Sequence, residues 1–161
     1  MSTFTLASPA FEEGSMIPPH YTCDGENINS PLRWEGAPKG TASFALLVDD
    51  PDIPPEVKER FGIEKWDHWV LYNIAPGTTS LEEGEAPGEE GLNSSGTTGY
   101  QGPCPPPQYE PKEHRYVFRL LALDTMLSVP AAEAPTYEAI EKLAEEHVLA
   151  EARLTGRYRR E

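Results

Sequence analysis

A mostly β fold, an antiparallel β-sandwich with one or two peripheral helices, is what this sequence predicts, and three observations carry it. Seventeen prolines and thirteen glycines punctuate the 161 residues too often for long helices. Apolar runs of strand length recur at 44–48, 70–74 and 116–123. Only the segment 136–149 sustains a helical period. At this length one domain, 1–161, with a real hydrophobic core is expected.

Taken in order, Phe4, Leu6 and Phe11 suggest a first strand and its tether onto the core. Residues 18–31 are turn-rich, with Pro18, Pro19, Asp24, Gly25, Asn27, Asn29 and Pro31. Leu32-Arg33-Trp34 alternates as a half-buried strand does, and Ala42–Val48 reads as a central strand buried on both faces. A short helix fits Pro55–Phe61, because Pro55 suits a first helical position and Gly62 can end it left-handed. Trp69–Ile74 is the next strand. The long stretch 76–113 is poor in aliphatic residues, and loops of this length are functional or disordered. Its glutamate-rich half, 81–90, is expected to be the more mobile, and Tyr100–Pro107, with four prolines, the more rigid. Tyr116–Leu123 is a further strand. Thr136 can cap a helix that runs to Leu149, with Tyr137, Ile140, Leu143, Ala144 and Val148 on one face. Alternation at Ala152, Leu154, Gly156 and Tyr158 makes the tail a final strand.

A net charge of −14 opposes broad binding to nucleic acid or to an anionic bilayer, since both need clustered Lys and Arg. The N-terminus has neither a basic start nor an apolar stretch, and no run approaches the roughly 18 apolar residues of a membrane span. A cytoplasmic protein without stable membrane association is the expectation. Cys23 and Cys104 fit neither a zinc finger nor a Cys-x-x-Cys motif. Free thiols and a bridge between them both stay open.

The chemistry-bearing residues gather where the apolar runs end. Val48-Asp49-Asp50-Pro51-Asp52 closes one run, and Trp66-Asp67-His68-Trp69 opens the next. Farther on, His114-Arg115-Tyr116 opens a third, after the stiff Gly102-Pro103-Cys104-Pro105-Pro106 segment. Strands ending together would form a small polar pocket from Asp50, Asp52, His68 and His114. A carboxylate of Asp50 or Asp52 beside His68 would favour the charged ring and leave its second nitrogen to donate outward, to a phosphate or carboxylate. The bland alternative is that each histidine only satisfies a local hydrogen bond. Two His and two Asp are also a conceivable ligand set, but the spacing is not that of a metal site, so neither a metal nor a cofactor is expected. A nucleophile elbow and the glycine patterns that cradle nucleotide phosphates are absent. The aromatics Trp34, Trp66 and Trp69 are assigned to the core or the pocket rim.

In this order, Ile17–Gly25, Asn29–Trp34, Asp49-Asp-Pro-Asp52, His68–Ile74, Gly99–Pro106 and His114–Phe118 resemble the phosphatidylethanolamine-binding protein family, also called Raf kinase inhibitor-like, in its bacterial and archaeal branch. The resemblance covers nearly the whole chain. It implies a β-sandwich with an anion pocket lined by Asp50, Asp52, His68, Pro105, His114 and Tyr116. It also implies a non-enzymatic protein that holds phosphate-bearing ligands such as a phosphoethanolamine headgroup, and a homodimer. A regulator acting on a kinase or protease through loop 81–113 is the second reading, and a phosphoester or amide hydrolase the third. The proline-rich segment Gln108–Glu113 is expected to reshape the pocket mouth.

Overall fold

The computed structural model describes residues 3–130 and 134–160. Two antiparallel sheets face each other. The smaller joins β1 (Thr5–Ala7), β2 (Leu32–Glu35) and β5 (Ser80–Leu81) in the order β1-β2-β5. The larger runs β6-β4-β3-β7-β8, from β6 (Glu89–Glu90), β4 (Trp66–Ile74), β3 (Ser43–Asp50), β7 (Glu113–Leu123) and β8 (Val148–Arg159). Helix α1 (Pro55–Phe61) follows β3, and α2 (Tyr137–Ala144) precedes β8.

Strand periodicity explains why β3 is apolar without interruption. Its Phe44, Leu46 and Val48 face the inter-sheet core with Leu32, Trp34, Trp69, Leu71, Phe118 and Leu120. Its Ala45 and Leu47 face the other way, against Val70, Tyr72, Tyr137, Ile140 and Ala144 under α2. Every residue of β3 is therefore buried, and the usual alternation of polar and apolar residues disappears.

Several expected boundaries move. The helix expected over 136–149 ends at Ala144, although Thr136 caps it as anticipated by accepting from the Ala139 N–H at 3.1 Å. Val148 and Leu149 instead begin β8, because the long β7 continues to pair as far as Leu123↔Val148. Residues 76–113 are not a bare loop: β5 and β6 lie within them, and Leu92 bridges Thr98. The glutamate-rich half is tied down, with the Asn29 side chain donating to the Glu82 and Glu85 carbonyls and Tyr21 to Glu83. Helix α1 keeps its expected limits, with Pro55 in its first turn and Gly62 at φ +65° after it. Cys23 and Cys104 are disulfide-bonded across 81 residues of chain, which closes the question the sequence left open.

Candidate functional site

Parity along two strands puts three polar side chains on one face. Asp50 continues the inward row Phe44, Leu46, Val48 at the end of β3. His114 and Tyr116 begin the inward row that Phe118 and Leu120 continue on β7. His68 arrives by a different device. Val48 pairs with Trp69 but Asp49 pairs with Asp67, so His68 is an extra residue on β4, a β-bulge. The bulge re-aims His68 toward the sandwich side, where its ring meets Tyr116 edge-on at 5.2 Å, while the next residue, Trp69, stays in the same core. Both histidines thus lie inside strands rather than ahead of them.

The hydrogen bonds fix what each ring can offer. His114, 1% exposed, has Nδ1 at 2.6 Å from Asp50 Oδ2 and Nε2 at 2.9 Å from the Pro111 carbonyl. A carbonyl only accepts, so Nε2 carries a hydrogen, and a carboxylate on the other side favours a second one. Burial alone would lower the pKa of His114, but the hydrogen bond and charge of Asp50 outweigh it and raise it. The contact with Asp50 favours a buried ion pair without net charge, and neither ring nitrogen is left for a ligand. The other oxygen of Asp50, Oδ1, accepts from the Asp52 N–H at 2.7 Å. His68 differs. Its Nδ1 donates to the Gln101 carbonyl at 2.6 Å, leaving Nε2 free of protein bonds among the described residues. Burial dominates and lowers its pKa despite the nearby Asp50. Tyr116 Oη is buried with no hydrogen-bond partner among the described residues. Burial first, then the charge of Asp50, raises its pKa, so it stays a protonated donor.

These groups form one wall of a cavity of about 230 Å³. The loop 101–106 makes a second wall with Gln101, Gly102, Cys104, Pro105 and Pro106. Besides the His68 Nδ1–H bond to the Gln101 carbonyl, that loop is braced by Gln101 N–H to the His68 carbonyl, Trp66 Nε1–H to Gln101 Oε1, Gly102 N–H to Asn27 Oδ1, Cys23 N–H to the Pro103 carbonyl, and the disulfide. Gly102 is the residue this packing requires, since a Cβ there would lie 2.3 Å from Asn27 Oδ1 and 2.4 Å from the Tyr21 carbonyl. The mouth is apolar. Val57 and Phe61, one turn apart on α1, join Ile53, Pro54 and Trp66, and the 53% exposed Phe61 meets Trp66 edge-on at 5.3 Å.

Five of the six residues singled out from the sequence, Asp50, His68, Pro105, His114 and Tyr116, line this cavity. Asp52 does not. It turns away and holds Arg115 by two side-chain bonds of 2.8 Å and by the backbone N–H at 2.9 Å. Nor is either aspartate the partner of His68, whose Nδ1 is held by a backbone carbonyl instead. Segment 108–113 does not line the cavity; through the Pro111 carbonyl it seals the outer nitrogen of His114. Sequence reasoning missed Gln101, Ile53, Val57 and Phe61. For the last two a signal existed, their i, i+4 spacing on the anticipated helix. Among the described residues, no group of three or more His, Cys, Asp or Glu side chains converges as a metal site would, and no helix is long and apolar enough to cross a membrane.

Fold and cavity together define a small β-sandwich protein with a ligand-sized pocket at its strand ends. The model of the family described as phosphatidylethanolamine-binding protein matches residues 7–159, and this chain belongs to that family. It is 47% identical over 164 residues to a UPF0098 protein of Methanothermobacter thermautotrophicus, covering 96% of this chain and 98% of that one. A UPF0098 protein of Chlamydia pneumoniae is 43% identical, with 95% and 97% of the two chains covered. Among solved structures, a phosphatidylethanolamine-binding protein homologue of Chlamydia trachomatis, CT736, matches at TM-score 0.90 with 38% identity over the full length of both chains. Escherichia coli YbcL, described as a member of the mammalian family, matches at TM-score 0.83 with 28% identity, over 98% of this chain and 99% of that one.

Proposed function

We propose that this chain binds the phosphate group of a small ligand in the His68–Tyr116 cavity and does not convert it chemically. The observation that carries this reading is the Tyr116 hydroxyl, buried and, among the described residues, without a partner at ordinary hydrogen-bond distance, in a cluster whose other polar atoms are nearly all bonded. Buried polar groups normally have partners, so an orphan donor on a cavity wall suits a ligand oxygen. The collar of Ile53, Val57, Phe61 and Trp66 suits the organic part of such a ligand. The family's description as phosphatidylethanolamine-binding agrees with this chemistry.

Calorimetric titration of phosphoethanolamine, inorganic phosphate and acetate tests it. Saturable binding of the two phosphates to the wild type is expected, with acetate weaker. Tyr116→Phe removes only the donor, so affinity should fall by about 1.5–3 kcal/mol, the range of a hydrogen bond to a charged group. Absence of phosphate binding to the wild type, or full affinity in Tyr116→Phe, would refute the reading.

A further inference from the structure

Building on the binding reading above, we infer that the cavity takes its phosphate group together with one proton, held at His68 Nε2. The groups facing His68 set the charge balance. From β3 come Asp50 and, on the strand's other face, Asp49, whose Oδ2 accepts from the Tyr137 hydroxyl at 2.6 Å. From β7 come His114 and Tyr116. The loop contributes the Gln101 carbonyl, and α1 lends only Val57 and Phe61 to the cavity wall.

Asp50 and His114 cancel each other, so no net positive charge backs the cavity. With Nδ1–H committed to the Gln101 carbonyl, a neutral His68 presents a lone pair at Nε2. Burial keeps the ring on the neutral side at neutral pH. A phosphate dianion would therefore meet a lone pair on one side and the Asp50 carboxylate beyond it.

One proton from solvent changes this. Shared between Nε2 and a phosphate oxygen, it turns a repulsive contact into a charge-assisted hydrogen bond. The count is the same whether the complex is written as imidazolium with dianion or as neutral imidazole with monoanion. The ligand class that suits the site is an anion able to carry that proton near neutrality, and phosphate monoesters, with a second pKa of about 6, do so. His68 then acts as a specificity-determining residue, and affinity follows pH through it.

The test is calorimetry of phosphoethanolamine at pH 8 in buffers of different ionisation heat, whose slope counts protons taken up. Wild type is expected to take up about one proton, with affinity falling about tenfold per pH unit between 7.5 and 8.5. His68→Gln, checked for folding by its melting curve, offers a donor that does not titrate and should bind with uptake near zero. Tyr116→Phe should bind more weakly yet keep the uptake. Saturable wild-type binding without proton uptake would overturn the inference while leaving the binding reading intact, and so would uptake that survives in His68→Gln. Failure of wild type to bind at any pH would refute the binding reading itself, and this inference with it.

Discussion

Two histidines a few ångströms from the same tyrosine have opposite tasks, and the atoms they touch decide which. His114 has acceptors on both sides, which favours its charged form inside the protein. His68 has one acceptor and, among the described residues, one free nitrogen. The sign of the resulting pH effect follows from linkage. Because the folded-state pKa of His114 is raised, the stability it confers is fully present below its unfolded value of about 6.5 and is lost as pH rises through the folded value. Asp50→Asn should remove that slope at little cost. The amide can still accept from the Asp52 N–H, and it can donate to a neutral His114 whose Nε2–H keeps Pro111. Asp50→Ala leaves the buried ring unpaired and should lose about 3 kcal/mol or more, measured by denaturant unfolding at pH 6. Equal losses in the two variants would contradict the bonding scheme. The residue types of this cluster were legible in the sequence; their partners were not. Asp50 and Asp52 looked interchangeable, yet strand parity sends one inward and the turn sends the other out to Arg115.

At the scale of elements, the decisive feature is the bulge at His68. Nothing in Trp66-Asp67-His68-Trp69 announces an extra residue, because strict alternation and a bulge both accommodate those side chains. Helix α1 was legible since proline and glycine bracket it. The overextended α2 had a physical cause: Val148 fits the helix face equally well, and only pairing with β7 claims it for β8. The loop that forms the cavity's second wall owes part of its rigidity to the Cys23–Cys104 bridge. By the chain-entropy account, closing 81 residues is worth about 4.5 kcal/mol. Cys23→Ser/Cys104→Ser should therefore unfold at lower denaturant by about that amount. It should still bind phosphoethanolamine, because Asn27, Trp66 and His68 also hold the loop. An unchanged midpoint would show that the bridge adds nothing to the packing around it.

The whole molecule sets a largely apolar cavity in a body of net charge −14. Long-range attraction would not bring an anion there, so under the proposed function selection would rest on short contacts within the strand-end cluster. That arrangement was legible in outline: a sandwich, with strand ends converging on histidine, aspartate and a proline loop. What no single segment encodes is the closure, in which β3, the bulged β4, β7, α1 and loop 101–106 meet around one space. A crystal structure with phosphoethanolamine tests the central claim most directly. The account predicts the phosphate within hydrogen-bond distance of Tyr116 Oη and His68 Nε2, with His114 still bonded to Asp50 and Pro111. A phosphate seated elsewhere, or one bound by His114 Nε2 after Pro111 has moved aside, would contradict it.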